Sequence, residues 1–300
     1  MAKKKNWLQT RAEYIFALAL LEALRILPRK TATKLGRGAM HLVDLLLPKL
    51  RRTGLKNLSF AFPKSTLRER QQIIDGVFRT VAGILVTLAR FPALNRENIS
   101  QWIEYEGLEH YLEASREGRG VLIATAHLGN WELSAFAHAI MTGPMHVVVR
   151  ALDNPLIDRI VEDRRTLSGN RLIYKRDAAR AVIKALRNNE AVGILIDQNT
   201  SAPEGVFVNF FGKLACAGSA FVKFAHHSGA PVIPGFALWN ENKQRYVLRF
   251  CPRVEMTGDI ASDTRRIHAL FESIIRQNPD QWMWIHRRWK TRPPGEPPLY

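Results

Sequence analysis

From about residue 100 onward the chain alternates short apolar runs with longer amphipathic ones, and that alternation limits its fold more than any other feature. Runs at 103–105, 121–125, 145–149, 171–174, 191–196, 232–236 and 246–250 have the length and apolar content of buried strands. Helical periodicity fills the intervals, at about 108–117, 131–141, 155–168, 177–188, 217–228 and 262–277. Strands and helices in this order predict an α/β fold, a mixed central sheet flanked by helices. Ligands of such sheets bind beyond the carboxyl ends of the strands. Residues that directly follow an apolar run are therefore the first candidates for chemistry.

His127 is the foremost of them, in the segment Ala124-Thr125-Ala126-His127-Leu128-Gly129-Asn130-Trp131-Glu132. Residues five apart on one continuous helix lie about 140° round its axis and do not meet. Gly129-Asn130 is a turn or N-cap signal, and a non-helical Leu128-Gly129 step would bring Glu132, in the first helical turn, back to the imidazole. The expectation is a Glu132 carboxylate that receives one ring N–H and leaves the other nitrogen free to take a proton from a hydroxyl. A lone His at a strand end is more often a hydrogen-bonded structural residue; the carboxylate, the turn and the strand together make general-base chemistry its equal. A zinc site would want His pairs three to five apart or Cys ligands, and His127 has neither at that spacing. The adjacent His226-His227 point different ways on a helix and read as ordinary helix or surface residues, so no metal is expected.

Three hundred residues at 46% hydrophobic and 24% charged suffice for a sizeable core, in one large domain or in one domain plus an N-terminal appendage. Cys216 and Cys251 lie outside any CxxC spacing and read as buried thiols in a reducing compartment. The net charge of +17, with a pI near 10.3, calls for anionic partners. Nucleic acid, an anionic membrane surface, an acidic carrier protein and a phosphorylated substrate all qualify. No zinc-finger spacing, aromatic RNA-binding strand or helix-turn-helix pair is present, so no nucleic acid is expected. The clusters Lys3-Lys4-Lys5, 25–37 and Lys49-Leu50-Arg51-Arg52 flank apolar helices, as in proteins that lie on phospholipid headgroups; a solvated basic face is the plainer alternative.

Residues 7–27 form a strongly apolar helix ending at Pro28. Its uninterrupted apolar core, 14–21, is far short of the ~20 residues of a simple span, and Glu22 and Arg25 oppose free burial in lipid. A monotopic helix anchored by Trp7 and the flanking cations fits best, with a tilted single pass as the alternative. No small-residue cleavage site follows, so no removable signal peptide is expected. Residues 41–48 continue this helical, membrane-near region, and a helix with a polar start at Ser65-Thr66 follows at about 67–88, so residues 1–95 are expected to be an N-terminal helical, membrane-associating region, and 96–300 the α/β catalytic domain.

Further segments join the first: Arg150-Ala151-Leu152-Asp153-Asn154-Pro155-Leu156 after a strand, Arg164-Arg165 one helix later, Asp197-Gln198 at the end of 191–196, and the tail Gln281-Trp282-Met283-Trp284-Ile285-His286-Arg287-Arg288-Trp289-Lys290. With the His-x4-Glu element, their order and content resemble the bacterial lipid A late acyltransferases, the lauroyl and myristoyl branch of the lysophospholipid acyltransferase superfamily. The resemblance runs from about Arg51 to the end. It implies a glycerolipid acyltransferase-like fold and transfer of a fatty acyl group from an acyl carrier protein thioester to a hydroxyl of a lipid A precursor, at the cytoplasmic face of the inner membrane, without metal or cofactor. His127 would be the general base and Glu132 its partner. Arg150 and Arg165 would stabilise the oxyanion or grip acceptor phosphates, with Asp153 holding Arg150.

Asp197 and Gln198, at a strand end, would orient an arginine or the acceptor sugar, or cap a turn. Asn130, within the motif, and Arg287 and Arg288, in the aromatic tail, complete the substrate-binding candidates. The apolar run 205–212 suits the wall of an acyl groove, and core packing explains it nearly as well. Two alternatives stand beside this reading: an acyltransferase for another lysophospholipid or a mannosylated glycolipid, and a non-catalytic basic membrane-binding protein.

Overall fold

A computed structural model describes residues 6–175 and 178–300. The basic run Lys3-Lys4-Lys5 and the expected helix start at 177 lie outside them.

The N-terminal third is helical. Helix α1 (Trp7–Ile26) starts at Asn6, whose side chain accepts from the Leu8 amide, and stops at the Leu27-Pro28 step. Helix α2 (Arg29–Leu46) follows at once, and Pro48 opens α3 (Pro48–Ala61), where its missing N–H costs nothing. Helix α4 (Leu67–Arg90) begins with a capping box: the Thr66 side chain accepts from the Glu69 amide while Glu69 accepts from the Thr66 amide. The stretch Leu67–Ala93 is, among the described residues, the one helix long and apolar enough to cross a membrane. Yet 56% of its apolar window is buried, with Ile74, Val77, Phe78, Ala82, Val86 and Ala89 all inside. It is the central helix of the layer, packed by α1, α2 and α3. In the same layer Arg51, read from sequence as part of a basic cluster, turns inward to Asp44 and Asp75 at 2.6 Å each.

Strands and helices then alternate: β1 (Ile103–Glu106), α5 (Leu108–Ser115), β2 (Val121–Thr125), α6 (Trp131–Met141), β3 (His146–Val149), α7 (Pro155–Thr166), β4 (Arg171–Tyr174), α8 (Ala178–Arg187), β5 (Ala191–Leu195), β6 (Gly205–Phe210), β7 (Lys213–Gly218), α9 (Ala220–Ser228), β8 (Val232–Asn240), β9 (Arg245–Phe250) and α10 (Ile260–Gln277). Seven strands make one sheet in the order β1-β9-β8-β2-β5-β3-β4, parallel except for the antiparallel β8–β9 pair. The mixed sheet with helices on both faces is the fold expected. The hairpin of β6 and β7, which stands outside the sheet, was not expected; the run read as an acyl-groove wall is its first strand and turn, with Val208, Phe210 and Phe211 buried in the core.

Strand alternation sorts the core onto two faces. Ile123, Phe136, Met145, Val147 and Phe250 pack together on the α6 side, while Leu122, Ala124, Val148, Ile194 and Phe221 pack on the other. The tail folds back over the second face. Trp282, Trp284 and Trp289 are buried; the first two rings meet edge to face at 4.5 Å, and the three interlock with Phe210 and Phe211 at centroid distances from 5.3 Å upward. Each such ring removes roughly 150–250 Å² from water, so this segment, which carries the substrate-binding candidates Arg287 and Arg288, is part of the core.

Candidate active site

In the β2–β5 pair the parallel register sets Thr125 beside Leu195. Two residues further along each chain stand His127 and Asp197, so the sheet itself brings them together. Imidazole Nδ1 lies 2.8 Å from Asp197 Oδ1. The other carboxylate oxygen accepts from the His127 amide at 3.0 Å and from the Trp282 indole N–H at 2.8 Å. Asp197 is 2% exposed. Burial alone would raise its pKa, but His127, by charge and hydrogen bond, and the Trp282 and backbone donors outweigh burial and hold it at about 2. An ionised carboxylate at Nδ1 fixes the proton there and leaves Nε2 as the acceptor. The side-chain amide nitrogen of Gln198 stands 3.3 Å from that Nε2.

Backbone bonds immobilise the loop that carries the histidine. Gly129 N–H donates to the Gln281 carbonyl at 2.9 Å, Asn130 N–H to that of Ala237 at 2.8 Å, and Met283 N–H to that of His127 at 3.0 Å. Gly129 has φ +65°, and a Cβ on it would lie 2.0 Å from the Ala237 carbonyl oxygen, so only glycine fits. Asn130 is fully buried; its side chain accepts from the Leu133 amide and donates to Thr87 on α4 at 2.9 Å. It is the N-cap of α6 and a tie to the helical layer, not a substrate contact.

The expected partner of His127 is engaged elsewhere. Both Glu132 oxygens bind Arg165 in a fork, at 2.8 Å from Nε and 2.6 Å from Nη2. The carboxylate on the histidine is Asp197, whose oxygens engage His127 and Trp282 rather than an arginine. The adjacent arginines of α7 serve opposite sides: Arg164 is buried against the Leu88 and Ala89 carbonyls at the end of α4 and reaches Glu22 at 3.1 Å, while Arg165 faces the site. Arg150 and Asp153 form a long 3.4 Å pair with both side chains more than 70% exposed. Arg288 is fully buried, donates to the Cys216 carbonyl at 2.6 Å and stacks on Phe210, and desolvation lowers its pKa to about 10. It is closed to an acceptor phosphate. Arg287 is exposed over the Tyr300 ring, at 5.8 Å from its centroid.

His127, Trp131, Glu132, Arg150, Arg165 and Gln198 all line one cavity of about 1470 Å³, larger than the roughly 300–1,000 Å³ of most small-molecule pockets. It wraps over the carboxyl end of the sheet and has an arm on each face. One arm runs beneath α6 between Ile123, Phe136, Met145, Val147 and Phe250; the other runs between the sheet and α8–α9, along Val148, Ala181, Ile194, Phe221 and Phe224. His138 lines the first arm, its pKa pushed down to about 4 by burial and its Nδ1 bonded to the Tyr105 hydroxyl at 2.8 Å. No cluster of three or more potential metal ligands occurs among the described residues. His226 instead pairs with buried Asp263 at 2.7 Å, and Cys216 and Cys251 are buried thiols.

A histidine–aspartate pair lining a large, partly apolar cavity fits several chemistries, and comparison with known proteins narrows them. Residues 1–291 match the family of bacterial lipid A biosynthesis acyltransferases. The chain belongs to that family. It is 30% identical over 279 residues to the lipid A biosynthesis lauroyltransferase of Escherichia coli K12, covering 91% of this chain and 90% of the relative. It is 28% identical to a lipid A biosynthesis acyltransferase of Haemophilus influenzae, covering 94% and 88%, and 26% identical to the myristoyltransferase of Escherichia coli K12, covering 90% of each. The protein is accordingly an acyltransferase, and the non-catalytic reading is set aside.

Proposed function

We propose that the protein transfers a fatty acyl chain from an acyl carrier protein thioester to a hydroxyl of a lipid A precursor, directly, within a ternary complex. The observation that carries this reading is the His127–Asp197 pair, with the imidazole lining a cavity that has an arm on each face of the sheet. His127 Nε2 takes the proton of the acceptor hydroxyl while Asp197 stabilises the imidazolium. The acceptor oxygen then bonds to the thioester carbon, and the charge that develops on the carbonyl oxygen calls for nearby donors. The Gln198 amide, beside Nε2, is suited to that task. As the C–S bond breaks, His127 returns its proton to the departing thiolate.

The apolar arm under α6 has the chemistry to hold the donor chain, since each buried methylene favours it by about 0.8 kcal/mol. Gly193 lies on that arm, where a Cβ would come within 2.6 Å of the Met145 terminal methyl. Exposed Trp7, Leu8, Ile15 and Phe16 on α1 and Leu42, Leu45, Leu46 and Leu47 on α2 and its end, among lysines and arginines, suit a surface that lies on the cytoplasmic face of the inner membrane. The 1–95 region would then be the membrane-associating part of the enzyme.

The test incubates purified protein with acyl carrier protein or coenzyme A thioesters and a panel of lipid acceptors. Transfer to a lipid A precursor from the carrier thioester, lost in folded His127→Ala, is the expected result. Transfer only to a lysophospholipid or a mannosylated glycolipid would replace the acceptor, and undiminished turnover in His127→Ala would overturn the mechanism. Gly193→Val, by filling the arm, is expected to shift donor preference toward shorter chains.

A further inference from the structure

Two basic faces of this protein differ in character. On the first, the lysines and arginines of α1 and α2 stand among exposed leucines and aromatics, the mixture that favours a lipid interface. The second is formed by α8 and α9. Neither helix contains an acidic residue. Arg180, Lys184, Arg187, Lys223 and His227 border a cleft of about 650 Å³ between them. Arg180, Lys184, Arg187 and Lys223 are exposed, and none forms an ion pair among the described residues; Asp177, the nearest acid in sequence, lies outside those residues. No large apolar side chain of either helix is exposed. The cleft has the charge to attract an acidic surface, and its large apolar lining residues, Ile183 and Phe224, are half-buried within it rather than exposed as the leucines and aromatics of α1 and α2 are.

Its position gives the charge a purpose. Ala179, Arg180, Lys184, Lys223 and Phe224 line both this cleft and the second arm of the catalytic cavity, so a partner seated on α8–α9 stands over a passage to His127. A thioester carried on a flexible tether from an acidic protein needs such an arrangement: a charged seat outside and a narrow way inward. We propose that the α8–α9 cleft is the docking surface for the acidic acyl carrier protein, and that the arm beneath it admits the thioester tether. This rests on the donor proposed above. Steering by opposed charge raises the rate of encounter and fixes orientation, so the interaction is salt-sensitive on the scale of a ~8–10 Å Debye length.

The experiment measures the dissociation constant of the carrier protein for wild type and for Lys184→Glu/Arg187→Glu, alongside KM and kcat with the carrier thioester. Weakening on the order of 10-fold or more is expected, with a matching rise in KM. A carrier with two acidic residues reversed to lysine should recover part of the loss. The reversal Lys30→Glu/Lys34→Glu on α2 should instead weaken binding to anionic phospholipid vesicles and leave carrier binding intact. Unchanged carrier affinity in the α8 variant, equal loss in the α2 variant, or failure of every reversed carrier to restore binding would each overturn the docking surface. If wild type neither binds the carrier nor uses its thioester, the donor itself is wrong and the docking surface falls with it.

Discussion

Asp197 and Glu132 hold different partners, and their replacement should leave different kinetic signatures. Asp197→Asn keeps the shape of the side chain but turns an acceptor into a donor towards Nδ1–H, disturbing the tautomer that leaves Nε2 free. A loss in kcat of roughly 10²–10⁴-fold is expected, with KM much less affected; steady-state kinetics on the folded variant would check it. Glu132→Gln breaks the fork to Arg165 instead and leaves a cation unmatched on the cavity wall, so the expected first effect is on acceptor KM. His127 itself was legible in the sequence, because an apolar run, a Gly-Asn turn and a helix start surround it. Its true partner was not. The register of β2 with β5 places residue 197 beside 127, and nothing local announces a neighbour 70 positions away. Arg288 was misread for a related reason: a basic, aromatic tail has the composition of an interface, and only the packing of Trp282, Trp284 and Trp289 reveals it as core.

At the scale of elements, the strands and helices after residue 100 were legible to within a few residues, since periodicities of 2 and 3.6 are local signals. The β6–β7 hairpin escaped because its first strand and turn, Gly205–Gly212, read as one largely apolar, aromatic stretch. The role of α4 also escaped, for an apolar helix looks alike whether protein or lipid covers it. The turn after β2 is where an element controls the site. Gly129→Ala must place a methyl group against the Ala237 carbonyl and hold a left-handed backbone, a destabilisation of at least roughly 2 kcal/mol. A drop in Tm should accompany a loss of activity greater than the unfolded fraction explains. An unchanged Tm would mean that the turn can relax away from β8 and that the loop is less fixed than its hydrogen bonds imply.

Across the whole molecule, burial makes stability sensitive to acid. His138, His268 and His286 all have pKa values lowered to about 4, chiefly by desolvation. Their folded values lie below the ordinary 6.5, so the unfolded chain binds protons first. Stability is full above pH 6.5 and declines as pH falls toward 4. Asp197, held at about 2 against an ordinary 3.8, adds stability that is present above pH 3.8 and lost as pH falls through 2. Thermal unfolding scanned from pH 8 to pH 4 should show a plateau and then a fall beginning near 6.5. A Tm constant down to pH 4 would contradict the buried, neutral state of these histidines. The basic surface should also make carrier-dependent turnover decline with ionic strength.

The claim on which the mechanism turns is that Asp197 holds the imidazole proton on Nδ1 and leaves Nε2 to the substrate. Proton and nitrogen magnetic resonance of the His127 ring, in protein labelled with ¹⁵N-histidine, tests it most directly. A downfield Nδ1 proton that persists in Glu132→Gln and disappears in Asp197→Asn is the predicted result. A signal that survives in Asp197→Asn and vanishes in Glu132→Gln would contradict the account and return the histidine to the carboxylate five residues away.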